Sequence, residues 1–134
     1  MKLFLDTNIV LDYVENRKPF VDDALALFQM SYDDIHQLYV SDLTFTNIAY
    51  IARKRMNLDQ LYEIFEVLCA FLHITGIGEQ AVRKAVQMKE KDFEDVLQYL
   101  SAKQAVADCI ITRNKKDFYF SDIPVYTPEE FIHR

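Results

Sequence analysis

Two glycines in 134 residues leave no material for a glycine-rich phosphate cradle, so nucleotide binding of the Walker or GxGxxG kind is excluded. Cysteine is equally scarce. Cys69 and Cys109 lie in apolar stretches with no second Cys or His at ligand spacing, which reads as two buried thiols in a reducing cytoplasm rather than a disulfide or a zinc site. No run of about 18 apolar residues occurs, so no membrane span is expected, and the start Met1–Asp6 is too poor in apolar residues for a secretory leader. Positive charge is in deficit: 15 Lys and Arg against 21 Asp and Glu give a net charge of -6. That balance argues against a basic coat for nucleic acid, but not against an enzyme that meets phosphates through a bound metal. Linkers, repeats and low-complexity stretches are missing as well, so residues 1–134 read as one continuous domain.

What is present suits a core. Hydrophobic residues make up 51% of the chain and charged ones 27%. Short apolar runs at Lys2–Leu5, Leu38–Val40, Leu72–Thr75, Cys109–Thr112 and Pro124–Tyr126 read as five strands, several apolar at consecutive positions as strands buried on both faces are. Between them lie helical stripes: Val21, Ala24, Leu25 and Phe28; Phe45, Ile48, Ala49 and Ala52; Leu58 to Leu72; Val82, Ala85 and Val86; and Phe93, Val96, Leu97 and Leu100, the last expected to run on to Ala107. Alternation of this kind implies crossover units and a parallel sheet with helices on both faces. Sites in such sheets form beyond the carboxyl ends of the strands.

Three places there could carry chemistry. Asp6 and Asn8 in LFLDTNIVLD follow the first strand, where a helix cap is the plain alternative; Asp12, further along, reads as solvated. Asp92, Glu94 and Asp95 open the fifth helix, as acids commonly do, yet Asp95 shares a face with Tyr99, Ala102 and Val106. A carboxylate on an apolar face needs a donor, a proton or a cation. Thr112, Arg113, Asn114, Lys115, Lys116 and Asp117 follow the fourth strand. On a parallel sheet Asp6, Asp95 and Asp117 would converge, and an oxygen-only ligand set is what Mg2+ or Mn2+ prefers.

The stretches LFLDTNIVLD, SDLTFTNIAYIARK, DFEDVLQYLSAK, CIITRNKKDF and PVYTPEEF, taken in order across about 5 to 131, resemble the landmarks of PIN domains, the fold of VapC-type toxin ribonucleases. The resemblance implies an α/β three-layer sandwich with a five-stranded parallel sheet. It also implies a Mg2+- or Mn2+-dependent site that hydrolyses RNA, with a small antitoxin protein as partner and a homodimer. By motif position Asp6, Asp95 and Asp117 match the metal-binding acids, and Asn8 and Thr112 the polar residues supporting them; Asn114 stands where relatives carry Asp or Asn. One position departs from the pattern: Asn47 occupies the place of the usual glutamate, which implies weaker metal binding and slower turnover, with Glu94, adjacent to Asp95 but turned about 100° from it around the helix, a partial substitute.

A PIN-like domain that binds RNA or protein without efficient cleavage is the competing reading, and a phosphatase of the Asp-x-Asp type is disfavoured because residue 8 is Asn. Arg113, Lys115 and Lys116 are candidates for substrate phosphates, whereas Arg53, Lys54 and Arg55 suit a helix C-terminus. The three histidines lack a Ser or Cys partner at readable spacing. Tyr62, Phe65 and Phe71 fit a core stripe better than a stacking platform, and an outward edge of the Leu58–Leu72 segment could serve a dimer.

Overall fold

The computed structural model describes residues 1–134. Five strands, β1 (Lys2–Leu5), β2 (Gln37–Ser41), β3 (His73–Thr75), β4 (Cys109–Ile111) and β5 (Val125–Tyr126), form one sheet in the order β3-β2-β1-β4-β5. Every neighbouring pair is parallel. Seven helices cover it: α1 (Thr7–Val14), α2 (Val21–Tyr32), α3 (Asp42–Ala52), α4 (Leu58–Phe71), α5 (Gly78–Met88), α6 (Phe93–Gln104) and α7 (Pro128–Ile132). The three-layer α/β sandwich implied by the sequence is the architecture found.

The consecutive apolar residues of the strands divide between two cores because side chains alternate across a sheet. Leu3, Leu5, Leu38, Val40, Cys109 and Ile111 enter a 19-residue cluster built with α1, α2, α3, α4 and α7. Phe4 and Ile110 face the other way, onto Tyr99 and Ala102 of α6 and onto Phe118. Each buried Leu, Ile or Phe side chain contributes about 1.5 to 3 kcal/mol relative to exposure, so this double burial fixes the central strands firmly. Register follows from it: Leu3 pairs with Leu38 on one side and Cys109 on the other. The chain reverses direction of winding between β1 and β4, and Asp6 and Thr112 leave those two strands side by side.

Local chemistry sets the helix ends. Asn57 and Thr127 start α4 and α7 with reciprocal capping boxes, and Pro128 suits the first turn of α7, a helix that the apolar pattern alone does not announce. The α6 helix ends at Gln104, short of the expected Ala107. Val106 takes a left-handed φ of 54°, which lets the Ala107 N–H bond to the Ala102 carbonyl at 3.0 Å and closes the helix. Val106 is therefore 73% exposed rather than on an apolar face with Asp95.

Other burial expectations shift for similar geometric reasons. Cys109 is buried inside β4, but Cys69 is exposed on the outer side of α4. Along α2 Leu27 takes the core position expected for Leu25, and along α5 only Ala81 and Ala85 are buried while Val82 and Val86 face outward. Phe65 and Phe71 pack on the main core, whereas Tyr62 is exposed, together with Leu58 and Val67 of the same helix.

Candidate active site

Asp6 is the first residue after β1, and its backbone N–H still bonds to Ile111 of β4 at 3.0 Å. Its carboxylate both caps and waits. Oδ1 accepts the Thr7 N–H at 2.8 Å, so the capping alternative is realised, while Oδ2 accepts the Thr112 hydroxyl at 2.8 Å. Thr112, fully buried one residue beyond β4, also accepts the Asn114 N–H at 3.1 Å and a long 3.5 Å contact from Asn8 Nδ2. Asn8 Oδ1 is buried and has no partner. Asn114 acts through its backbone, its carbonyl accepting the Asp117 N–H at 3.0 Å at the start of a short 3-10 turn over Lys115–Phe118.

From the other side α6 brings Glu94 and Asp95. Asp92 caps that helix, accepting the Asp95 N–H at 3.0 Å, which accounts for one of the three acids at its head. Glu94 is not turned away from the site. Its Oε1 accepts Asn47 Nδ2 at 2.6 Å, so the amide on α3 and the carboxylate on α6 meet where the family pattern places one glutamate. Asn47 thus faces Glu94 of α6 and is not engaged in capping its own helix.

The electrostatics of this edge are unfavourable to negative charge. Burial, with further contributions from Glu94 and Asp117, lifts the Asp6 carboxyl to about 6 even though Thr112 and Thr7 donate to it. Burial followed by Asp6, Asp92, Asp117 and Glu94 lifts Asp95 to about 7, and no hydrogen bond or cation offsets the rise. Glu94 is raised too, by burial and Asp92, against the opposing Asn47 donor. The acids sense one another, yet no three carboxylate, imidazole or thiol groups stand close enough to hold one ion. Convergence to ligand distance is therefore not what the side chains show. Asp6 is tied to Thr7 and Thr112, and Glu94 to Asn47.

The neighbouring cations divide in a way the sequence did not indicate. Asp12 is not solvated: it is 1% exposed and holds Arg113 through contacts of 2.9 and 3.2 Å, with Arg17 at 4.0 Å. The Arg113 guanidinium also lies 4.0 Å from the Phe20 ring centre, so it faces α1 and α2 rather than the acids. Lys115 pairs with Glu130 at 3.1 Å, both about half exposed. Lys116 stays beside Asp117 in a depression of about 230 Å3 with Lys91, Asp92, Tyr119 and Phe120. A second depression, about 320 Å3, is lined by Glu94 together with Thr7, Thr46, Asn47, Tyr50 and Ile51. The largest depression, about 690 Å3 along α5, includes none of the acids at the strand edge. Of the other basic residues, Arg53 bonds to the Tyr50 carbonyl at 2.7 Å and Arg55 to Glu15 at 3.2 Å.

Beneath the acids lies a polar group that no motif marked. Ser41, Thr44 and Gln98 are fully buried and Thr7 nearly so. The Gln98 amide donates to Thr7 Oγ1 at 2.9 Å and to Thr44 Oγ1 at 3.3 Å, accepts the Ser41 hydroxyl at 2.9 Å, and the two threonine hydroxyls meet at 3.0 Å. The one signal in the sequence is a glutamine set between Leu97 and Tyr99, one turn beyond Asp95.

The chain is similar to known proteins in sequence and fold. The PIN domain family model matches residues 2–116. Ribonuclease VapC1 of Aquifex aeolicus (strain VF5) is 32% identical over 138 residues, covering 99% of this chain and 94% of the relative. Among solved structures, VapBC2 from Rickettsia felis bound to a promoter DNA fragment superposes with a TM-score of 0.72 at 16% identity, covering 95% of this chain and 98% of that one. VapBC-1 from nontypeable Haemophilus influenzae gives 0.71 at 22%, with 96% and 99% covered. With a family model over most of its length and a relative at this identity, the chain belongs to the PIN domain family.

Proposed function

We propose that this chain is a metal-dependent endoribonuclease, the toxin half of a toxin-antitoxin pair. The observation that carries the reading is the set of acids from three separate elements, Asp6, Asp95 and Asp117, gathered at the carboxyl edge of β1 and β4 in a PIN domain chain. A 32% identical relative named a ribonuclease and structural neighbours described as VapBC complexes support it.

The residues suit a hard divalent cation. Their donors are all oxygens, Asn8 Oδ1 is buried without a partner, and Asp6 and Asp95 resist carrying charge for want of a cation. Asp6, Asp95 and Asp117 would hold Mg2+ or Mn2+, with Glu94 supplying the negative charge that Asn47 lacks and Asn8 adding an amide oxygen. Such an ion, when bound, lowers the pKa of a water and offsets charge on the phosphate. Thr112 and the Thr7 N–H orient Asp6 by one hydrogen bond to each oxygen, and Asn47 orients Glu94 by a hydrogen bond to Oε1. Lys116, and Lys115 once it turns from its surface pair, face incoming phosphates; an exposed pair such as Lys115 with Glu130 is worth under about 1 kcal/mol and yields to a phosphate readily. Arg113 serves instead to hold its loop on α1. A small antitoxin and a second copy of the chain are the expected protein partners, the latter through outward residues of α4 such as Leu58, Tyr62 and Val67.

Incubation of the purified chain with single-stranded and structured RNA, with Mn2+ or Mg2+ and then with a chelator, tests the reading. Internal cleavage that needs the metal and disappears in Asp6→Asn is expected. RNA binding without turnover at any metal concentration would favour a PIN domain that acts by binding alone.

A further inference from the structure

Three helices meet at the edge that carries Asp6, Glu94 and Asp95, and one side chain of α6 joins it to the starts of α1 and α3. Gln98 lies on α6, one turn after Glu94 and Asp95. Its amide reaches Thr7, the residue after Asp6 on α1, and Thr44, one turn before Asn47 on α3, while Ser41 at the end of β2 donates to its oxygen. Both of its N–H groups donate and its oxygen accepts once, and the group is sealed from water.

A satisfied buried network of this kind adds little net stability, since an apolar group of the same shape often packs as well. What it adds is distance. Apolar contacts between helices slide at small cost, whereas hydrogen bonds at 2.9 to 3.3 Å fix where each helix starts relative to the others. Fixed spacing matters most where like charges push outward, as Asp6, Glu94 and Asp95 do.

We infer that Gln98, through Thr7, Thr44 and Ser41, is a positioning residue that sets the spacing between α1, which follows Asp6, α3, which bears Asn47, and α6, which bears Glu94 and Asp95. The role rests on the metal-dependent reading above. It is distinct from that of Thr112 or Asn47, which bond to the carboxylates themselves; Gln98 touches none of them and acts on the backbone elements that bear them.

The test is titration of Mn2+ into the full-length chain by calorimetry, with RNA cleavage measured alongside. Gln98→Met, similar in size but without the amide, is expected to lower Mn2+ affinity roughly 10- to 100-fold, the range typical when a group supporting metal ligands is lost. It should reduce kcat with little change in KM for RNA. Thr44→Val, a smaller lesion, should shift affinity the same way, and the double variant should be no worse than Gln98→Met, because both act through one network. Leu68→Ala, in the main core on α4, should lower Tm and leave Mn2+ affinity unchanged. If Gln98→Met does not fold, Thr44→Val compared with Leu68→Ala decides alone. Wild-type affinity in the network variants, or an equal loss in Leu68→Ala, would overturn the positioning role while leaving the nuclease reading intact. No Mn2+ uptake by the wild-type chain would overturn both.

Discussion

Asp95 is the residue where burial and repulsion act together without relief, and its substitution has two opposite consequences. Asp95→Asn removes a charge that the fold disfavours, so the metal-free chain should melt at a higher temperature near pH 8, where wild-type Asp95 is ionised. The same variant should lose the rise in Tm that Mn2+ gives the wild type. A scan with and without Mn2+ checks both signs, and an equal metal-induced rise in the two proteins would remove Asp95 from the ligand set. Asn47 poses a related question. The sequence suggests that Asn47→Glu would tighten the metal, and the 2.6 Å contact with Glu94 adds that the metal-free form should be destabilised by two facing carboxylates. Lower Tm without metal and a larger Mn2+-induced rise are expected; unchanged behaviour in both would mean that the position is not part of the site.

At the scale of elements, the loop after β4 is held by the bond between Arg113 and Asp12 of α1. Asp12 is fully buried, and burial pushes its carboxyl up while Arg113, its main partner, pulls it down. Breaking one side of a buried pair strands the other, so Arg113→Met should cost about 3 kcal/mol in denaturant unfolding, with Arg17 at 4.0 Å offering little in exchange. Replacing both, as in Asp12→Leu with Arg113→Met, should recover much of that loss. If Arg113→Met is as stable as wild type and binds RNA less well, Arg113 belongs with the substrate after all. The sequence could not show this arrangement, because an Asp on α1 and an Arg after β4 are 101 positions apart and each has an ordinary surface role available. Strands were easier to read: Leu3–Leu5 and Cys109–Ile111 are apolar without a break because both faces are covered. The end of α6 was not, since only the left-handed turn at Val106 stops it and valine carries no such signal.

For the whole molecule, the raised carboxyls make stability depend on pH. Asp6 at about 6 and Asp95 at about 7 both lie above the ordinary 3.8, so the folded chain holds more protons than the unfolded one between those limits. Their contribution is complete near pH 4 and is lost as pH rises through about 7. His36, lowered by burial and the nearby chain terminus, works in the opposite direction, so the informative quantity is the difference between wild type and Asp95→Asn. That difference should widen from pH 5 to pH 8 in denaturant melts without metal; a constant difference would contradict the assignment. That Asp6, Asn8, Thr112 and Asp117 follow β1 and β4 at one edge was legible from the alternation of strands and helices, because a parallel sheet sends every strand exit the same way, whereas the distances between the acids were not. The Gln98 network was not, since a buried amide leaves no pattern in a sequence and is defined only by the helices it joins.

The proposed role of this edge is to bind a divalent cation. Crystals soaked in Mn2+ and measured for its anomalous scattering test it most directly. A peak bounded by Asp6, Asp95 and Asp117, with Asn8 or Glu94 turned toward it and lost in Asp6→Asn crystals, is the predicted result. A well-ordered map with no peak there, or with Mn2+ only at acids elsewhere on the surface, would contradict it.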